Sequence, residues 1–209
     1  MANRIISFVN VKGGSGKSTV ACCLAGELLS QGRSVSLIDA DPQGGASAWH
    51  GAGDQFSEIP LIVDTSGAVG AKAEAQEGVV LIDVAGFATD NMISALSASD
   101  LAVIPCRASA LDAIKAVQTQ EYINQVGQSR GSSLSSVVVM NGVTRTAIAP
   151  HIRAEIEGAG LKVAKTELGQ RTAFALAGLN GSAPCFMGAS AAAAADEVSR
   201  LIKELKIKG

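Results

Sequence analysis

Residues 4–29 read RIISFVNVKGGSGKSTVACCLAGELL. Residues 4–10 are apolar and β-branched, as in a buried strand, and residues 19–29 place apolar side chains as a helix packed on a sheet does. Between them runs a glycine-rich segment that ends in Gly16-Lys17-Ser18-Thr19. Strand, glycine loop and helix in that order predict a phosphate-binding loop. Glycines 13, 14 and 16, with Ser15 and Thr19 in the same cradle, let backbone N–H groups curl around an anion without Cβ clashes. The start of the helix adds unpaired N–H groups and a partial positive charge. Lys17 is spaced to reach the β- and γ-phosphates, and the Ser18 hydroxyl to ligate Mg²⁺.

Composition fits such a site. The 209 residues are enough for one domain with its own core, expected to span residues 1–209. They are 47% hydrophobic but only 3% aromatic, so the core must be built from Ala, Val, Ile and Leu, as where helices cover both faces of a parallel sheet. No apolar run approaches the roughly 18 residues of a membrane span, and the N-terminal stretch lacks a signal-peptide layout. Cysteines 22, 23, 106 and 185 show no C-x-x-C spacing and read as buried thiols of a reducing cytoplasm.

Apolar, strand-like runs recur at residues 34–39, 79–83, 101–106 and 137–141, with weaker candidates at 59–63 and 161–164. Helical patterns lie at 111–126, 147–157 and 189–205, and residues 43–58 and 127–136 read as loops. The alternation predicts an α/β fold: a doubly wound, mostly parallel sheet flanked by helices. In such a sheet, function gathers at the carboxyl ends of the strands. Three acidic residues fall there: Asp39 and Asp41 in LIDADPQGG, and Asp83 in VVLIDVAG. Each alone reads equally as a strand-end or capping Asp. After a phosphate loop, in this chain order, they predict handling of a metal ion and of an attacking water.

The usual loop pattern would put glycine at position 11, where this chain has Val11, and the run instead reads K-G-G-x-G-K-S with Lys12 at its head. In this it resembles the deviant Walker A motif of the ParA/MinD ATPases, and the whole chain is similar to the short ParF-like ParA partition proteins. The resemblance implies a P-loop ATPase that uses ATP and Mg²⁺ and closes as an ATP-dependent homodimer. By analogy Lys12 crosses to the sister chain's phosphates as an arginine finger would. Asp41 then orients the attacking water, while Asp39 and Asp83 hold the Mg²⁺ shell with Ser18. Asn141, in VVVMNGVTR, occupies the strand end where many relatives read adenine, although Asn141-Gly142 is also a good turn pair. Two departures stand out: Val84-Ala85-Gly86 where many relatives have Thr-Pro-Pro, and position 141, which varies among the short relatives.

The family couples nucleotide state to position, binding DNA non-specifically with ATP until a partner stimulates hydrolysis. Charge along this chain is uneven: residues 1–129 carry seven Lys/Arg against thirteen Asp/Glu, and residues 130–209 carry ten against six. A basic C-terminal portion suits a phosphate-backbone contact, which a dimer would double. Arg171, Arg145, Arg153, Lys162 and Lys165 are the candidates, with Arg171 first because relatives often carry a DNA-binding cation in the segment matching KTELGQR. The expected partners are the chain itself, DNA, and a centromere-binding ParB- or ParG-like protein or another cargo adaptor, in the cytoplasm on the nucleoid. A protein cargo such as a carboxysome or a chemoreceptor cluster is the alternative to a plasmid or chromosome. The terminal segment DEVSRLIKELKIKG, with Arg200, Lys203, Lys206 and Lys208 beside Val198, Leu201, Ile202 and Leu205, also permits a basic amphipathic helix on a membrane, as in the MinD branch. It lacks Phe and Trp, and the sheet needs it as cover. A guanine-reading N-K-x-D is absent, and no cysteine pairing suggests an iron–sulfur carrier.

Overall fold

The computed structural model describes residues 3–87 and 89–207. Lys208 of the basic C-terminal segment therefore lies outside the described residues. Seven strands form one sheet: β1 (Arg4–Phe8), β2 (Val35–Ala40), β3 (Leu61–Val63), β4 (Val79–Val84), β5 (Leu101–Cys106), β6 (Ser135–Val143) and β7 (Leu168–Gly169). Their order is β3-β2-β4-β1-β5-β6-β7, and each neighbouring pair is parallel. The connections carry α1 (Lys17–Ser30), α2 (Gly45–Gly51), α3 (Val69–Glu74), α4 (Asp90–Ala98), α5 (Ala110–Ser129), α6 (Ile148–Gly158), α7 (Thr172–Leu179) and α8 (Ala192–Glu204).

Because successive strand side chains alternate between faces, the apolar runs feed two cores at once. Ile6, Phe8, Leu37, Leu81, Val103 and Val139 join the core under α1, α2, α7 and α8. Ile5, Val9, Ile38, Ile82, Ile104 and Val138 join the core under α3 to α6. That is why these strands read as continuous apolar runs instead of alternating ones. Parallel pairing also aligns the strand ends. Asp39 and Asp83 face each other in register on β2 and β4, and Phe8 at the end of β1 pairs with Asp83.

Several expectations from sequence need correcting. Residues 43–58 are not a loop: they hold α2 and a 3₁₀ turn at Asp54–Phe56, and their apolar Ala46, Trp49 and Phe56 are buried. The Trp49 indole N–H donates to the Ser182 carbonyl at 2.8 Å, which fastens this segment to the far end of the chain. Of residues 127–136, only 130–134 form the connecting turn: 127–129 end α5 and 135–136 begin β6. The strand expected at 161–164 contributes only an isolated bridge, Val138 to Val163, and the last strand lies at Leu168–Gly169. The terminal helix begins at Ala192, after a 3₁₀ turn at Ala189–Ala191. Its Val198, Leu201, Ile202 and Leu205 are buried in the first core, so the apolar face a membrane would need is already packed on the sheet. Among the described residues no helix is long and apolar enough to cross a membrane.

Candidate functional site

The phosphate loop sits where β1 meets α1. Gly16 holds φ at 97°, a left-handed backbone that any L side chain would strain. A Cβ built there would also lie 1.9 Å from the Asn141 amide nitrogen. That closeness has a purpose: Asn141 Nδ2 donates to the Ser15 carbonyl at 2.9 Å, so the end of β6 braces the loop from the side. One N–H of the Asn141 amide is thereby engaged by the loop, and its carbonyl oxygen is left as an acceptor. Lys17 is 6% exposed and its ammonium lies 3.4 Å from the Lys12 carbonyl oxygen. Burial lowers the Lys17 pKa, opposed by the charges of Asp83 and Asp41. An ammonium kept dry over a ring of backbone amides is a socket for an anion. It opens into a cleft of about 980 Å³, large enough for a nucleotide, lined by loop glycines, Ser18, Thr19, Asp41, Arg107, Asn141 and Arg171.

The three acidic residues differ in what they do. Asp83 is fully buried and neither of its oxygens has a hydrogen-bond partner. Burial pushes its carboxyl up to about 7, against the Ser18 hydroxyl beside it and with the charge of Asp39 adding to the rise. A Cβ placed on Gly45 would lie 2.6 Å from Ser18 Oγ and 3.7 Å from an Asp83 oxygen, so three segments converge on one spot. An orphaned buried carboxylate beside a serine at the foot of a phosphate loop fits a Mg²⁺ shell. Among the described residues no group of three or more His, Cys, Asp or Glu could hold a metal by itself. A Mg²⁺ bound by one hydroxyl, substrate phosphates and water needs no such group.

Asp39, expected beside Ser18 and Asp83 in the metal set, is otherwise engaged. Its Oδ2 accepts from Ser47 N at 2.7 Å and Ser47 Oγ at 2.6 Å, and its Oδ1 from Asp41 N at 3.1 Å. It holds the 41–47 segment in place. Asp41 is half-buried at the edge of the cleft and accepts from Gln43 N at 2.9 Å in an Asx turn.

Lys12 is not free. Its ammonium is ion-paired with Asp112 on the first turn of α5. Sequence reasoning missed Asp112, and the reason is visible. Ser109-Ala110-Leu111-Asp112 is a capping-box pattern, and Ser109 does cap α5 by accepting from Asp112 N at 3.2 Å. The local role hides the distant one, because nothing in the chain links position 112 to position 12. Arg107, which lines the cleft beside Gly142, was missed as well.

The basic candidates for DNA do not form one set. Arg171 lines the nucleotide cleft and grips Glu197 with bidentate contacts of 2.6–3.1 Å, tying the end of β7 to α8. Arg153 is bound to Glu167 and Glu157 and to the Ala164 carbonyl. Arg153 is half-buried by these contacts, whereas Arg171 stays exposed. Arg145, Lys162 and Lys165 are exposed, and none has an ion pair among the described residues.

Comparison with known proteins gives the family and the fold. The profile of the CobQ/CobB/MinD/ParA nucleotide binding domain matches residues 6–185. Protein ParA from Rhizobium radiobacter is 30% identical over 178 residues, covering 81% of this chain and 80% of that protein. The maintenance of carboxysome distribution protein A from Halothiobacillus neapolitanus is 27% identical over 207 residues, covering 96% and 95%. Among solved structures, an ATP complex of a Cyanothece McdA variant superposes with a TM-score of 0.80 at 20% identity, covering all of this chain and 98% of that one.

Proposed function

We propose that this chain, which belongs to the CobQ/CobB/MinD/ParA family of nucleotide-binding domains, is a Mg²⁺-dependent ATP hydrolase that works as an ATP-dependent homodimer on DNA. The observation that carries the reading is the pairing of a dry phosphate socket with a partnerless carboxylate: Lys17 over the loop amides, and Asp83 beside Ser18 at its foot. Lys17 and the loop N–H groups hold the triphosphate. Ser18 would supply a hydroxyl ligand to Mg²⁺, and Asp83, buried beside it, would help hold the ion. Mg²⁺, when bound, neutralises charge on the phosphate oxygens. Asp41, at the edge of the cleft, aligns the water that attacks the γ-phosphate. Asp39 acts one step back, by setting where Asp41 and Ser47 sit. Lys12 arrives from the sister chain, where its positive charge offsets charge that develops as the phosphoryl group transfers.

Contact with DNA is then open to Arg145, Lys162 and Lys165, which are exposed and have no ion pair among the described residues, and to Arg171, which is exposed although it pairs with Glu197; Arg153 is half-buried against Glu167. Such contacts are to phosphates and carry no sequence preference. An adaptor protein would complete the system by stimulating hydrolysis. Two cargoes are open to this machine. The similarity to Protein ParA of Rhizobium radiobacter supports movement of a plasmid or chromosome. The near-complete overlap with the carboxysome distribution protein of Halothiobacillus neapolitanus supports positioning of a protein assembly. In either case the chain would act in the cytoplasm.

Light scattering after gel filtration tests the core of the proposal. With Mg²⁺ and ATPγS the chain should elute as a dimer that retains random-sequence duplex DNA, and with ADP as a single chain that does not. A single chain under both conditions, or DNA retention indifferent to nucleotide, would refute it.

A further inference from the structure

The two ends of the cleft are built differently. At one end, over β4 and β2, Ser18 and Asp83 converge and Asp41 lines the edge. A triphosphate that runs from the loop toward those groups leaves its nucleoside on the opposite side of β1, over β5, β6 and β7. There the walls are the ends of three neighbouring parallel strands: Arg107 after β5, Asn141 and Gly142 on β6, and Gly169 with Arg171 on and after β7. Among the described residues no aromatic side chain is free to cover a base at that end. Trp49 and Phe174 line the cleft but are buried. Exposed Phe87 follows Gly86, on which an added Cβ would lie 3.0 Å from the Gly13 Cα, so it belongs to the loop head.

Arg107 is placed to fill that gap. Cys106 pairs in register with Met140, and the Arg107 carbonyl accepts from Ser109 N at 2.8 Å, which fixes the backbone it starts from. Its side chain is exposed, and it has no ion pair among the described residues. It leans onto Gly142, where an added Cβ would lie 3.8 Å from its Nε and 4.0 Å from a terminal nitrogen. The next strand repeats the arrangement: Arg171 lies against Gly169, with Nε 3.4 Å from an added Cβ. That second guanidinium, however, is committed to Glu197.

We propose that Arg107 is the residue that covers the face of the purine. This rests on the cleft holding a nucleoside triphosphate. A guanidinium is planar, delocalised and weakly hydrated, so it stacks on a π face, whereas a lysine ammonium acts as a hydrated point charge. Recognition then divides between two strand ends. The edge of the base is left to the Asn141 carbonyl oxygen, because its amide nitrogen is held by Ser15. The face goes to Arg107. A face contact favours a purine over a pyrimidine, which offers a smaller ring, and it is indifferent to the phosphates.

Isothermal titration calorimetry of the full chain with ADP, CDP and tripolyphosphate tests this, with thermal melting to establish folding. Arg107→Ala should bind ADP about tenfold more weakly, the scale of a partly desolvated cation–π contact, and should bind tripolyphosphate as the parent does. The parent's preference for ADP over CDP should shrink, because the pyrimidine has less face to lose. Arg107→Lys keeps the charge without the plane and should bind ADP nearly as weakly as Arg107→Ala. If Arg107→Ala does not fold, Arg107→Lys decides alone. Unchanged ADP affinity in Arg107→Ala overturns the proposal. So does an equal loss for tripolyphosphate, which would make Arg107 a phosphate ligand, or an equal loss for CDP, which would place it on the ribose. Full rescue by lysine overturns it too, since charge alone would then suffice. The two readings fail separately. A parent that binds neither ADP nor tripolyphosphate removes the nucleotide site, and Arg107 with it. A parent that binds both, matched by Arg107→Ala, removes only the stacking role.

Discussion

Replacing Asp83 by Asn should make the nucleotide-free chain more stable and the catalyst dead, with a pH dependence that identifies the cause. The Asp83 carboxyl is fully buried without a hydrogen-bond partner, and its pKa stands near 7 against an ordinary 3.8. The folded chain therefore holds that proton more tightly than the unfolded chain. For such a group the stability is greatest below the unfolded value, and it declines as pH rises through the interval up to the folded value. At about 1.4 kcal/mol per pKa unit, ionising Asp83 costs the fold about 4 kcal/mol once the pH is above 7, and only about 1–2 kcal/mol at pH 5. Asn removes the charge but still buries an amide with few partners, itself unfavourable by about 1–3 kcal/mol. The variant should exceed the parent by about 1–3 kcal/mol at pH 8.5, and the advantage should vanish or reverse by pH 5. Urea denaturation at the two pH values, without nucleotide or Mg²⁺, measures this, and subtracting the variant's curve from the parent's cancels the titrating groups that are not coupled to Asp83. With Mg²⁺ and ATPγS the order should invert, because a ligand that binds only the folded state stabilises the parent. A parent–variant difference that is the same at both pH values would show that Asp83 is not an unpaired carboxylate, and the assignment of the metal site would go with it.

The contact between Gly16 and Asn141 gives a double-mutant test. Gly16→Ala combines a left-handed strain of about 1–2 kcal/mol with displacement of Asn141 from Ser15, about 1–3 kcal/mol more, whereas in an Asn141→Ala background only the strain should remain. Additive losses in denaturation free energy would contradict this geometry. Glu204 accepts from Lys165 N at 2.6 Å and Thr166 N at 2.8 Å, and although burial acts to raise its pKa these bonds hold it below the usual 4.5. Its stabilising share is present above pH 4.5 and lost as pH falls through the lower, folded value, so Glu204→Gln should flatten the acid limb of the stability curve; an unchanged limb would be evidence against it. Asp41→Ala should still dimerise with ATP and stay on DNA, because loading is intact while water alignment is lost. Hydrolysis at the parent's rate in that variant would remove Asp41 from the mechanism.

Local chemistry made much of this protein legible from its amino acids. A strand that ends in glycines, then Lys17 and Ser18 at the mouth of a helix, can be read without a structure because neighbours in the chain build the site together. The parallel sheet was legible for a similar reason: strands buried on both faces must be apolar along nearly their whole length, and residues 79–82 and 101–106 are. The failures fall where distant segments decide. Residues 43–58 look like a loop because glycine and polar residues dominate, yet Trp49 reaches Ser182 and Phe56 enters the core, so the segment folds against partners more than a hundred positions away. Arg171 and Arg153 look like free cations until Glu197 and Glu167 are brought beside them. Asp39 and Asp83 occupy equivalent strand ends, and only packing leaves one saturated with donors and the other with none. By itself, then, the sequence determined that this chain carries a phosphate-loop motif of a nucleotide-binding family on a parallel sheet. Tertiary structure decided which charges are spent and which are available, including where Lys12 rests. An ion pair across a hundred residues leaves no periodicity and no spacing in the chain; it exists only once the sheet has aligned β1 and β5 and set the first turn of α5 against the loop.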